Sequence, residues 1–218
     1  MKTFTKTLTM SLAFVLSALS FAQQMDQEAG LITKAALRRL DSATVSSVLE
    51  SWKAKPKSAA EKMIAKYGQP NEATTTRLVW FNSGPWKFTI LTNEMIPHNF
   101  PMKHQDMLRQ GISYKVADRK FNDVLNFDGS IIIDRTPGEI SARCDKEEMN
   151  FLAVNLANDV ATGKRTVKQA RDFYAKTAMA VMMMKTNAEQ KSYTSGFTFK
   201  VSKSGTAFPD KPAVKMGG

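Results

Sequence analysis

Apolar residues recur at helical spacing near both ends of the 218-residue chain and at strand spacing in its middle. Residues 26–50 carry apolar side chains every three or four positions, which predicts one helix followed by a second, shorter one. A basic break at residues 53–57 contains Pro56 and predicts a boundary. The capping-box pattern at 58–61 then predicts a helix that ends at Gly68.

Alternating β-branched and aromatic residues predict two hairpins in the middle of the chain. Residues 75–81 and 86–92 flank a turn sequence rich in Asn, Ser, Gly and Pro, which predicts the first hairpin. Residues 131–133 and 140–144 flank a Pro-Gly turn and predict the second one. Each pair is close in sequence, so both hairpins should be antiparallel.

The segment between the hairpins has weaker signals. Residues 95–110 contain Pro97 and Pro101 and are predicted to be irregular. A strand is predicted over 112–116 and a helix over 118–125.

Two capped helices are predicted after the second hairpin. The pattern at 145–148 is a capping box, and the apolar stripe that follows it ends at Gly163. The pattern at 166–169 is another capping box, before a helix that runs to Met184. The short turn between these two helices predicts a helical hairpin.

Strands followed by helices, without alternating crossovers, predict an α+β fold. We expect two β-hairpins in a small antiparallel sheet packed against a C-terminal helical hairpin, with short N-terminal helices. The predicted segments are a signal peptide (1–22), an N-terminal helical segment (23–55), an α+β core domain (56–199) and a flexible basic tail (200–218). No Gly-rich loop leads from a strand into a helix, which disfavours nucleotide-dependent dehydrogenases and ATPases.

The first 22 residues have the pattern of a secretory signal peptide. Lys2 and Lys6 precede an apolar run over 8–21, and Ala22 ends a small-residue cleavage pattern. The run is too short for a typical membrane span, and no later stretch is as apolar, so we expect no transmembrane segment after cleavage. The sequence therefore predicts a periplasmic or secreted protein.

The charge balance is basic, with 31 Lys and Arg against 20 Asp and Glu. Removing the two lysines of the predicted signal lowers the net charge from +11 to +9. Basic residues are in excess over 34–66 and 164–191, whereas acidic residues are in excess over 117–150. A cationic exported protein attracts anionic partners, so we expect an anionic envelope component or a protein partner, and no specific nucleic acid.

Both histidines of the chain lie in one short segment and are candidate metal ligands. His98 and His104 are six residues apart, with Met102 between them and Asp106 just beyond. Imidazole and thioether groups suit copper, particularly Cu(I), so His98, His104 and Met102 form one candidate set. Paired imidazoles with Asp106 suit zinc instead. The alternative is a surface loop ordered by hydrogen-bonded histidines; apart from such a copper or zinc ion, we expect no cofactor.

Cys144 is the single cysteine, which excludes an internal disulfide framework and any multi-cysteine zinc module. Strand alternation places Cys144 on the same face as Ile140 and Ala142, which predicts a small buried hydrophobic residue. A lone cysteine in a protein that also has histidine is alternatively a candidate nucleophile.

Six acidic residues form the candidate set for acid–base catalysis. They are Asp128, Asp134, Glu139, Asp145, Glu147 and Glu148. The alternative is that they start helices and flank turns, which requires no chemistry. Met182, Met183 and Met184 are also adjacent, but consecutive helical residues point about 100° apart and do not converge on one ion without other partners.

Several short sequences resemble a family of exported bacterial proteins of unknown function. They are KYGQP (66–70), LVW (78–80), GPWK (84–87), HNFPMKH (98–104), FDGS (127–130), GEISARCD (138–145) and NLAND (155–159). The resemblance covers residues 56–175 and implies a bacterial exported domain, without an activity, a cofactor or a functional residue.

The sequence therefore favours a binding or structural module of the cell envelope, without deciding whether it is also an enzyme. Metal binding through His98, His104 and Met102 is the first alternative. A hydrolase that uses the acidic group or Cys144 is the second.

Overall fold

The structure is a computed structural model that describes residues 38–214, in which six helices accompany one six-stranded sheet. The helices are α1 (Ser42–Glu50), α2 (Ala54–Tyr67), α3 (Phe121–Phe127), α4 (Glu147–Thr162), α5 (Val167–Met182) and α6 (Ala188–Ser195). The strands are β1 (Glu72–Ala73), β2 (Arg77–Ser83), β3 (Trp86–His98), β4 (His104–Ser113), β5 (Ile132–Asp134) and β6 (Glu139–Cys144). The predicted signal peptide and the part of the predicted N-terminal helical segment before residue 38 lie outside the described residues.

All paired strands are antiparallel, in the order β1-β2-β3-β4-β6-β5. Strands β2 and β3 form the first predicted hairpin, and β5 and β6 form the second. The C-terminal helices pack against the sheet through contacts of α4 with β4 and β6. The predicted α+β fold is confirmed.

The prediction that residues 95–110 are irregular is wrong. Strand β3 continues to His98 and strand β4 begins at His104, with a register shift between Leu91 and Ile96. Pairing of β2 with β3 stops at Thr92, so beyond that point β3 has a strand neighbour on one side only. A proline, which lacks a backbone N–H, is tolerated at such an edge. The predicted strand over 112–116 is the end of β4, which stops at Ser113.

Two predicted capping boxes are absent from the structure. Helix α2 begins at Ala54 rather than near Ser58, and Pro56 lies in its first turn, where a missing N–H costs no helical hydrogen bond. Helix α4 begins at Glu147 without a side-chain cap, because Asp145 faces Lys55 and Cys144 instead.

The remaining helix boundaries agree more closely with the sequence. The C-caps at Gly68 and Gly163 are confirmed, and so is the capping box of Thr166 and Gln169. Helix α5 ends at Met182, two residues before the predicted end. Helix α6 is a polar helix with its own capping box, and its weak apolar periodicity explains why the sequence did not predict it.

One face of the sheet is covered by helices from both ends of the described chain. The register places Leu78, Leu91, Leu108 and Cys144 side by side across four strands, and directly opposed residues project from the same face. Helices α1 and α2 pack over the β2–β3 side of this face. Helices α4 and α5 pack over the β6 side. His104, four residues before Leu108 on β4, therefore projects toward the same covered face.

The C-terminal segment, predicted to be a flexible tail, has no helix or strand over 200–214. It nevertheless contacts the turn between β5 and β6. The Phe208 N–H donates to the Thr136 carbonyl at 3.1 Å, and the ammonium of Lys115 lies 4.0 Å from the Phe208 ring centroid. Among residues 38–214, no helix has the length and apolar character needed to span a bilayer.

Candidate metal centre

The two histidines face each other across the end of the β3–β4 hairpin. His98 is the last residue of β3, His104 is the first residue of β4, and the register pairs them directly. Their ring centroids are 4.9 Å apart. The six-residue spacing seen in the sequence is therefore the spacing of two strand ends joined by a short hairpin loop.

Asp106 lies between the two imidazoles. It is two residues after His104 on β4, so both side chains project from the same face of the strand. One carboxylate oxygen, Oδ1, is 2.9 Å from His104 Nε2, and the other, Oδ2, is 3.2 Å from His98 Nδ1. The Asp106 side chain is only 5% exposed, so a single buried carboxylate contacts both rings.

Asp128 closes the site from the opposite side of His98. It follows the last residue of α3 and is fully buried. Its Oδ1 lies 3.5 Å from His98 Nε2 and accepts a hydrogen bond from the Ser130 N–H at 2.8 Å. Each ring nitrogen of His98 therefore faces a different carboxylate.

Three polar atoms in this group lack a hydrogen bond within the described chain: His98 Nδ1, Asp106 Oδ1 and Asp128 Oδ2. The first two are close enough to their neighbours for ion pairs, but their directions do not meet hydrogen-bond geometry. Buried polar atoms without partners are costly, and carboxylate oxygens that find no donor are partners for a cation.

The pKa values of His104, Asp106 and Asp128 are shifted by burial and by their contacts with neighbouring side chains. The pKa of His104 is raised to about 11, first by its close polar contact with Asp106 and then by its contact with Cys144. Burial acts to raise the pKa of Asp106, but the two histidines outweigh it and hold that pKa below its usual value. Burial raises the pKa of Asp128. A metal ion bound here would replace the proton that His104 carries.

His98, His104 and Asp106 have the spacing of metal ligands. Taking one donor atom from each side chain, all three atoms lie within 4.8 Å of one another. Two imidazole nitrogens and one carboxylate oxygen are ligands that zinc prefers, and three protein ligands leave a fourth position open. The imidazoles are partly exposed, at 17% for His98 and 14% for His104, so an ion can reach them from solvent.

Met102 contributes its backbone to this arrangement. Its carbonyl oxygen lies 2.9 Å from His104 Nδ1. Because a carbonyl only accepts, this contact places a proton on Nδ1 and leaves Nε2 as the metal-binding nitrogen. Met102 also lines a cavity of about 240 Å³ next to His104.

Cys144 is buried, as strand alternation predicts. Its sulfur also lies 3.6 Å from His104 Nε2, a contact that local sequence patterns do not predict because it depends on the register between β4 and β6. Burial raises the pKa of the Cys144 thiol. In a catalytic triad the acid holds the ring nitrogen opposite the nucleophile, whereas here Asp106 and Cys144 both face Nε2 of His104. The arrangement does not fit an activated thiolate.

The six acidic residues of the candidate set do not converge on one site. Asp134 and Glu139 are paired across β5 and β6, whereas Asp145, Glu147 and Glu148 line a cavity beside α2. Glu147 is buried and accepts hydrogen bonds from Lys66, Tyr67 and Trp86. Glu139 pairs with Lys87 at 2.6 Å. Of the six, Asp128 is the one that contacts a histidine, His98.

Comparison with family models, curated proteins and solved structures finds no match to this chain. The resemblance to exported bacterial proteins stays a prediction.

Proposed function

We propose that this protein is an exported module that binds a divalent metal ion, with Zn²⁺ as the expected occupant. The ligands are Nδ1 of His98, Nε2 of His104 and a carboxylate oxygen of Asp106. The open fourth position takes water or another ligand from solvent.

The observation that carries the proposal is the environment of the second nitrogen on each ring. A metal-binding histidine usually directs its other nitrogen to a carboxylate or a backbone carbonyl, which fixes the ring and its tautomer. Here Nε2 of His98 faces the buried Asp128 at 3.5 Å, and Nδ1 of His104 faces the Met102 carbonyl at 2.9 Å. The other two ring nitrogens, Nδ1 of His98 and Nε2 of His104, both face Asp106. Nδ1 of His98 and Oδ1 of Asp106 are also buried without a hydrogen-bond partner.

Zinc titration of the mature protein against a chromophoric chelator tests this function. We expect one tightly bound equivalent in the wild type. Asp106→Asn removes the anionic ligand, and its affinity should fall by more than about 100-fold, since loss of an outer-shell partner alone costs 10–100-fold. Asp128→Asn changes such an outer partner and should cost roughly 10–100-fold.

The matched control is Asp172→Asn, because Asp172 is an exposed carboxylate that pairs with Lys168 at 2.6 Å. It should bind zinc as the wild type does. Absence of stoichiometric zinc binding in the wild type, or equal affinity of the Asp106 and Asp172 variants, would contradict the proposal.

Export to the periplasm or beyond the cell is part of the same proposal, and it is supported by the pattern of residues 1–22. The basic composition also supports attraction to an anionic envelope component. Mass spectrometry of protein from the exported fraction should give a mature chain that lacks residues 1–22. An intact N-terminal Met1 would contradict signal cleavage.

A further inference from the structure

The cavity beside His104 has several sulfur-bearing side chains in its wall. Met102, Met149 and Met182 line it together with Cys144 and His104. Its volume of about 240 Å³ is small for a drug-sized ligand, since such pockets typically start near 300 Å³. The space therefore suits a small occupant in contact with soft donor atoms.

Two of these donors are already positioned for one ion. The Cys144 sulfur and His104 Nε2 are 3.6 Å apart. With bonds of about 2.0 Å to nitrogen and about 2.3 Å to sulfur, as zinc makes, donors at this separation subtend roughly 110–115° at a shared ion. That angle lies between the tetrahedral and trigonal values.

The thioether groups of the three methionines indicate which metal ion this cavity favours. Thiolate and thioether ligands select soft metals, Cu(I) above all, whereas zinc is held by Cys, His and carboxylate. The three methionines come from separate parts of the chain: the 99–103 loop, helix α4 and the end of helix α5. Unlike three consecutive methionines on one helix, they reach the same cavity from different directions.

We propose that this cavity binds one Cu(I) ion through His104 Nε2, the Cys144 sulfur and thioethers of Met102, Met149 and Met182. Copper–sulfur bond formation releases the Cys144 proton to solvent, and no oxidation step is involved. This site goes beyond the proposed zinc function. Both ions use Nε2 of His104, so they compete and the protein holds one of them at a time.

Anaerobic titration with Cu(I), using bathocuproine disulfonate as the competing chelator, tests the site. The wild type should bind one equivalent. Cys144→Ser should weaken Cu(I) binding by more than about 100-fold, beyond the effect of losing an outer-shell partner. The triple variant Met102→Leu, Met149→Leu and Met182→Leu removes the thioethers at nearly constant volume and should weaken binding at least about 10-fold.

Zinc titration of the same proteins separates this site from the divalent one. Cys144→Ser and the triple leucine variant should keep wild-type zinc affinity, whereas Asp106→Asn should lose zinc and keep Cu(I). His104→Ala should lose both ions. Met179→Leu, outside the cavity lining and 41% exposed, is the matched control and should leave Cu(I) binding unchanged.

Two results would overturn the Cu(I) site. The first is a wild type that binds no stoichiometric Cu(I). The second is Cu(I) binding that neither Cys144→Ser nor the triple leucine variant weakens. A wild type that binds Cu(I) but no zinc would instead contradict the proposed function and leave the Cu(I) site supported.

Discussion

In both His98 and His104, one ring nitrogen faces Asp106 and the other faces a separate oxygen acceptor. Asp106 serves both rings, while Asp128 and the Met102 carbonyl hold the outer nitrogens. The contact of the outer nitrogen orients each imidazole ring and fixes its tautomer before an ion binds. The chemistry of the site is therefore set by single contacts around two side chains.

Glu147 is a buried carboxylate away from the histidines, and its role is structural. It is 5% exposed and accepts hydrogen bonds from Lys66, Tyr67 and Trp86, linking α2, the first hairpin and α4. Glu147→Gln should lower the free energy of unfolding at pH 7 by about 2 kcal/mol, since hydrogen bonds to charged groups contribute about 1.5–3 kcal/mol. Urea denaturation measures this change.

The same carboxylate predicts a pH dependence. Burial acts to raise the pKa of Glu147, but its hydrogen-bond donors outweigh burial and lower it below 4.5. A lowered folded-state pKa gives stability that is present above pH 4.5 and is lost as pH falls through the folded-state value. The stability difference between wild type and Glu147→Gln should therefore shrink on acidification. A difference that grows toward low pH would contradict this assignment.

The sequence predicted part of this site at the residue scale. It gave His98 and His104 as ligands, together with Met102 for copper or with Asp106 for zinc, because these residue types suit metals and lie close together in the chain. Asp128 was grouped with the candidate acid–base residues and not with the histidines, and the contact between Cys144 and His104 was not predicted. Both contacts join residues 30 or more positions apart, and local periodicity carries no information about such pairings.

At the scale of elements, the β3–β4 hairpin positions the site and was the element least well predicted. Prolines in its segment favour irregular structure by local propensity, but pairing with β4 overrides that preference at an edge. Helix ends marked by Gly68, Gly163 and Thr166 were predicted correctly, because caps act within one turn of chain.

The turn between β5 and β6 gives a prediction at this scale. Gly138 has φ +68°, and a Cβ atom there would lie 1.7 Å from the Thr206 carbonyl oxygen. Gly138→Ala should therefore destabilise the protein by about 2 kcal/mol, since backbone strain and a backbone clash add. Thermal denaturation measures the loss.

Gly129→Ala is the matched control, because no atom lies within 4 Å of a Cβ built at Gly129. Its free energy of unfolding should lie within about 0.5 kcal/mol of the wild-type value, as is usual for substitutions away from buried or strained positions. Equal stability of the two variants would show that the C-terminal segment does not pack on this turn.

At the scale of the whole molecule, helices from both ends of the described chain cover one face of a single sheet. The site lies at the end of two central strands and is completed by Asp128 at the end of α3 and by the cavity under α5. Sequence patterns predicted the α+β class because hydrophobic periodicity and the order of helices and strands along the chain determine that class. The strand order across the sheet could not be predicted in this way, because it depends on pairing between segments that are distant in sequence.

Metal binding at such a composite site should stabilise the folded protein as a unit. An ion that binds only the native state at 100 times its dissociation constant adds about 2.7 kcal/mol. For a chain of this size we expect zinc to raise the melting temperature by roughly 5–10 °C, with no effect of Mg²⁺. Asp106→Asn should show no such shift, and an equal shift in both proteins would indicate binding elsewhere.

X-ray absorption spectroscopy of the zinc-loaded protein tests the divalent site most directly. We expect nitrogen and oxygen neighbours at about 2.0–2.2 Å, with the outer-shell signature of two imidazole rings and no sulfur at about 2.3 Å. A single imidazole, six water-like oxygens, or the same spectrum from Asp106→Asn would contradict the assignment of His98, His104 and Asp106 as the zinc ligands.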